Sequence, residues 1–210
     1  MTSSVRFTEE MLGHVTFGEL DYARGAKPDR DGAAAFKFHL TIEVADMASF
    51  ARDPLRPATA VGYVVGDAFG GKLPVERGWF NLFVDVEPGV KHMLYRLWFR
   101  DGVGNPLTMI GFKLVKDDAG FDIWKDTTTL FTRVLQGHVP EGDDETATVL
   151  ASGTIIIRAR DFAKQLTTFR MGGPSVGAKV GALAKFGFIF VQQLAEAYVL
   201  KGRKRVPAQS

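Results

Sequence analysis

Trp79-Phe80-Asn81-Leu82-Phe83-Val84-Asp85-Val86 opens the stretch that decides the fold, residues 78–135. Its even positions, Phe80, Leu82, Val84 and Val86, are apolar, while Asn81 and Asp85 stand between them. That is the period of two of a half-buried strand. Lys91-His92-Met93-Leu94-Tyr95-Arg96-Leu97-Trp98-Phe99-Arg100 repeats it, with Met93, Tyr95, Leu97 and Phe99 on one side and His92, Arg96 and Arg100 on the other, beside Leu94 and Trp98. The turn Asp101-Gly102-Val103-Gly104-Asn105-Pro106 returns the chain into residues 107–116, and Asp117-Asp118-Ala119-Gly120 turns it again into 121–135. Four strands joined by tight turns make an antiparallel meander.

Working outward, Phe36, Phe38, Leu40, Ile42 and Val44 alternate with Lys37, His39, Thr41 and Glu43, a clear amphipathic strand. Before it, residues 5–20 begin polar and become strand-like over about 11–18, and 22–32 are too charged and glycine-rich to bury. After it, Asp46 is placed to cap a short helix that stops before Asp53-Pro54, and the β-branched run 59–65 predicts another strand. Residues 139–146 form an acidic loop, and Val149, Ala151, Gly153, Ile155 and Ile157 mark a last strand. From Asp161 the spacing becomes helical, with Phe162, Leu166 and Phe169, halted by Met171-Gly172-Gly173-Pro174. Ser175 then caps a second helix to about Leu200, whose expected inward stripe is Val176, Val180, Leu183, Phe186, Phe190, Leu194 and Tyr198.

Strands first and helices last predict a mainly β protein, an antiparallel β-barrel or sandwich, calycin-like barrels included, with C-terminal helices. The expected division is an antiparallel β domain over 1–160, a helical segment packed on it over 161–200, and a basic disordered tail over 201–210. At 210 residues, 46% of them apolar and 24% charged, the chain is an ordinary globular one; its net charge of +2 does not point to nucleic acid. There is no cysteine, hence no disulfide, thiolate nucleophile or zinc–thiolate site. The first residues lack the apolar core of a secretory signal, and the expected location is the cytoplasm.

Chemistry-bearing patterns are few. His39 and His92 fall on polar strand faces, His14 and His138 complete the set, and no His-x-His or His-Glu-x-x-His spacing occurs. Asp117-Asp118 and Asp143-Asp144 sit in turns without the run of ligands that a calcium loop requires. The glycine-rich segments match no phosphate-binding pattern, and no Gly-x-Ser-x-Gly elbow exists. Trp124-Lys125-Asp126-Thr127-Thr128-Thr129 stands out: Lys125, Thr127 and Thr129 share a face with Phe121 and Ile123, apolar at one end and polar at the other, suited to lining a pocket as well as to a solvated sheet. The candidate ligand-binding residues are Trp79, Tyr95, Trp98, Trp124, Lys125, Thr127 and Thr129. No catalytic residue, metal ligand or cofactor is expected.

At Phe7-Thr8-Glu9-Glu10-Met11-x-Gly13, Asp53-Pro54, Gly70-Gly71, Gly78-x-Phe80-Asn81-Leu82-Phe83 and Trp124-x-Asp126-Thr127-Thr128-Thr129-Leu130, the chain resembles a bacterial module over about residues 5–170. That module is associated with, and can be fused to, flavin-dependent cholesterol-oxidase-like (GMC) oxidoreductases and α/β-hydrolase-like proteins. The resemblance implies a steroid or lipid context and an oxidoreductase or hydrolase as partner; it carries over neither a flavin site nor catalytic residues. The leading expectation is a non-enzymatic binding or accessory domain for an apolar ligand, a lipid or sterol. Two alternatives stand beside it. One is an enzyme of lipid or steroid metabolism using His or Asp residues brought together by folding. The other is an interaction module docking through the C-terminal helix, whose apolar stripe followed by Lys201, Arg203, Lys204 and Arg205 also suits a peripheral membrane contact.

Overall fold

A computed structural model describes residues 2–116, 127–158, 161, 165 and 167–199, with side chains in the last helix described to Gln193. Eight antiparallel strands, β1 (Ser4–Phe17), β2 (Ala33–Val44), β3 (Pro57–Gly66), β4 (Gly71–Glu87), β5 (Val90–Arg100), β6 (Pro106–Lys116), β7 (Thr129–Gln136) and β8 (Val149–Ile156), pair with their chain neighbours in order. β1 hydrogen-bonds β8 on one side and β2 on the other, so the sheet closes into a barrel, not a sandwich. Closure leaves no free edge along the ring. A short β9 (Arg170–Gly172) adds to the start of β1. The connections include α1 (Tyr22–Gly25), α2 (Met47–Arg52) and a 3-10 turn at Asp67–Phe69; α3 (Val176–Val199) follows β9.

β2 has the predicted phase: Phe36, Phe38, Leu40, Ile42 and Val44 are all buried, while Lys37, His39, Thr41 and Glu43 face outward. Asp46 caps α2 by accepting from the Ala48 amide at 2.9 Å, and Ser175 Oγ accepts from the Ala178 amide at 3.1 Å at the start of α3. Gly153 shows how tightly the strands coil, since a Cβ there would lie 2.0 Å from the carbonyl oxygen of His14 on β1.

Four expectations change. β1 begins at Ser4 and not near residue 11, because the polar-looking start is the outward half of an alternation whose inward half is Val5, Phe7, Glu9 and Met11. β4 keeps the predicted phase only to Leu82. Phe83 takes φ 52 in a bulge opposite β5, so Leu82 and Phe83 are both buried, whereas Val84 is half-buried and Val86 exposed. Arg56 holds this bulge, its Nη1 donating to the Phe83 carbonyl at 2.9 Å while its own carbonyl accepts from the Leu82 amide. The 171–174 stretch is the end of β9 and its exit, not a helix stop. α3 packs through Ala182, Phe186, Ile189 and Gln193, so Val176 and Val180 of the expected stripe are exposed. The predicted turn at 117–120 and the strand start at 121–126 lie outside the described residues, as do Phe162, Leu166 and the 201–210 tail.

One core runs through the barrel and into α3. Phe7 stacks on Phe169 at 4.9 Å and meets Phe186 at 5.9 Å; Phe50 of α2 stacks on Phe186, and Phe83 meets Phe190 edge-on at 5.2 Å. The helix is thus seated over one end of the barrel by aromatic contacts, each adding about 0.5–1.5 kcal/mol beyond area burial.

Candidate ligand-binding cavity

Beneath α3 the barrel interior is not filled. A cavity of about 380 Å³ is walled by Phe7 from β1, Phe80 and Leu82 from β4, Met93 from β5, Ile157, Phe169, and Leu183, Phe186 and Phe190 from α3. From the strands, three polar side chains enter this apolar space, one from each of β1, β5 and β6: Glu9, Tyr95 and Lys113. All stand in the inward phase of their strands and are almost wholly buried. Lys113 Nζ donates to Glu9 Oε1 at 2.5 Å, and the Tyr95 hydroxyl donates to Glu9 Oε2 at 2.9 Å. The ammonium also lies 5.3 Å from the centre of the Tyr95 ring. Burial, then the Glu9 charge and its hydrogen bond, push the Tyr95 phenol well above its ordinary range, so it remains a donor.

The arrangement is electrically balanced but not saturated. An ammonium has three N–H donors, and Glu9 takes one. Gln165 also lines the cavity, and its Oε1 is buried without a hydrogen-bond partner among the described residues. A buried pair of this kind is weak as a stabilising device, because desolvating both charges offsets most of their attraction. Polar groups converging in a largely apolar cavity are the ordinary composition of a small-molecule site.

Of the sequence-predicted ligand-binding residues, Tyr95 and Thr127 line this cavity. Trp79 and Trp98 sit on the outer barrel face. Trp98 donates from Nε1 to the Val139 carbonyl at 2.9 Å, and Trp79 borders a smaller 210 Å³ groove with Arg96 and Asp144, which pair with each other. Thr127 belongs to a helical turn, and Thr129 begins β7 beside the exposed Ile156 with its side chain in the outward phase, so the two do not share a strand face. Trp124 and Lys125 lie outside the described residues. Sequence reading missed Glu9 and Lys113, yet both carry a signal: each is a charge in the apolar phase of a strand, within Val5-Phe7-Glu9-Met11 and Met109-Gly111-Lys113-Val115.

No histidine is among the described residues that line the cavity. His39 stacks on Tyr63 on the outside, His92 stacks on Phe112, and His138 contacts the Phe99 carbonyl and Glu76. Among the described residues no three His, Asp or Glu side chains converge as a metal would need. Comparison with protein-family models, curated proteins and solved structures gives no match for this chain.

Proposed function

We propose that the barrel binds one molecule of a largely apolar ligand, a lipid or sterol, that carries a single neutral oxygen function. The observation behind this reading is the aromatic and aliphatic cavity with one polar cluster, Glu9–Lys113–Tyr95, on its wall. The apolar wall favours a hydrocarbon body. The polar end follows from charge balance: Glu9 already neutralises Lys113, so a carboxylate ligand would leave one anion in excess, whereas a carbonyl or hydroxyl can accept from the remaining Lys113 donors without adding charge. A hydroxyl could also donate to Gln165 Oε1. The resemblance to modules associated with cholesterol-oxidase-like and hydrolase-like proteins agrees with a sterol or lipid alcohol and with an accessory role beside such an enzyme.

Native mass spectrometry of the full chain after exposure to sterols, fatty alcohols and the matching fatty acids tests this. The expected result is a one-to-one complex with the alcohols or ketones, weaker with the acids, and lost when Met93→Trp fills the cavity without lowering the thermal midpoint. Retention of no member of the panel, or equal retention by Met93→Trp, would sink the reading.

A further inference from the structure

The helix that roofs the cavity has a second apolar face. Val176, Val180, Leu183, Phe188 and Val191 are between 39% and 77% exposed, on the side of α3 away from Ala182, Phe186, Ile189 and Gln193. Two of these, Leu183 and Val191, also line the cavity together with Gly187, which lies about one turn from each of them along the helix. They are both wall and surface, which places the mouth of the cavity along the edge of the exposed stripe.

Charge is distributed to match. Residues 162–210 contain eight lysines and arginines and one glutamate (net +7), whereas residues 1–161 contain 18 basic and 23 acidic residues (net −5). On the helix itself Lys179 and Lys185 flank the stripe, and Lys201, Arg203, Lys204 and Arg205 follow in the sequence. No described helix is long and apolar enough to cross a membrane. An apolar helical face edged by cations, on a segment nearly free of acids, is the composition of a helix that lies in the plane of an anionic bilayer. A second copy of the chain would face the same cations.

We infer that α3 docks the barrel on an anionic membrane surface, with Val176, Val180, Phe188 and Val191 in the acyl boundary and the mouth of the cavity against the lipid. Ligand then moves between bilayer and cavity without crossing water. This transfer rests on the binding reading above; the docking does not.

Vesicle flotation of the full chain is the test. Vesicles of phosphatidylcholine with phosphatidylglycerol should carry the protein upward, and phosphatidylcholine alone should not. Binding should weaken about fivefold for each of Lys179 and Lys185 replaced by Gln. Val180→Asp and Phe188→Asp touch neither the core nor the cavity wall, so they should keep the wild-type melt while losing at least about tenfold in binding each. The proposal falls if the chain does not float, if it floats equally with neutral vesicles, or if the Asp variants float like wild type. A concentration-dependent dimer abolished by the same Asp variants, without flotation, would instead assign the face to a second copy. Flotation intact but no ligand retained in native mass spectrometry would remove the binding reading and leave the docking.

Discussion

The two halves of the barrel interior use the same eight strands differently. Away from α3, Met11, Val15, Phe36, Leu97, Phe99, Leu107, Met109 and Val134 fill the space, all at 3% exposure or less. That is how an eight-stranded barrel ordinarily closes, with side chains occupying the lumen. Under α3, at the inward position before Met11 on β1 and beyond Gly111 on β6, Glu9 and Lys113 stand in the apolar phase and a cavity remains. The first half is closed by apolar packing; the second holds a buried ion pair beside an apolar chamber, an arrangement that adds little to stability.

The comparison can be broken most directly by cutting one member of each half. Phe38→Ala, in the filled region, should cost about 3–5 kcal/mol in denaturant melts, and a loss below about 1 kcal/mol would mean that the core is not tightly packed there. Lys113→Met should cost a similar ~3–5 kcal/mol for a different reason, since it leaves Glu9 charged and buried. The double replacement Glu9→Leu with Lys113→Met should return to within about 1 kcal/mol of wild type or exceed it, while abolishing ligand binding. A double variant as unstable as the single one would show that the pair is structural.

Tyr95→Phe sharpens the same contrast at smaller scale, removing a donor to a buried carboxylate at about 1.5–3 kcal/mol. Because burial and Glu9 raise the folded-state pKa of Tyr95, the neutral phenol is the form that folding favours. Stability should therefore fall as pH rises past the ordinary tyrosine value of 10.0, and Tyr95→Phe should flatten that limb in thermal melts. His92, half-buried on the outer face, gives the least effect. Burial lowers its pKa below 6.5 against a smaller opposing pull from Glu87, so the folded chain binds fewer protons than the unfolded one in that range. Stability should decline as pH falls below 6.5, and His92→Gln should make melts between about pH 7 and 5 less pH-dependent. An unchanged slope would show that the ring is solvated.

The sequence by itself determined the antiparallel scaffold: the inward faces of β2 and β5, the cap of α2 and the start of α3 follow from alternation and capping, which are local and repeat along the chain. Closure of the barrel through β1 and β2 came only with the tertiary structure, because pairing register depends on partners far apart in sequence. So did the bulge at Phe83, held by Arg56 from the turn before β3, and the rotation of α3 that buries Ala182 and Ile189 and leaves Val180 outside. The cavity is the clearest case. Glu9 and Lys113 are 104 residues apart, and a charge in an apolar strand phase becomes tolerable only when folding brings its counter-charge within a hydrogen bond.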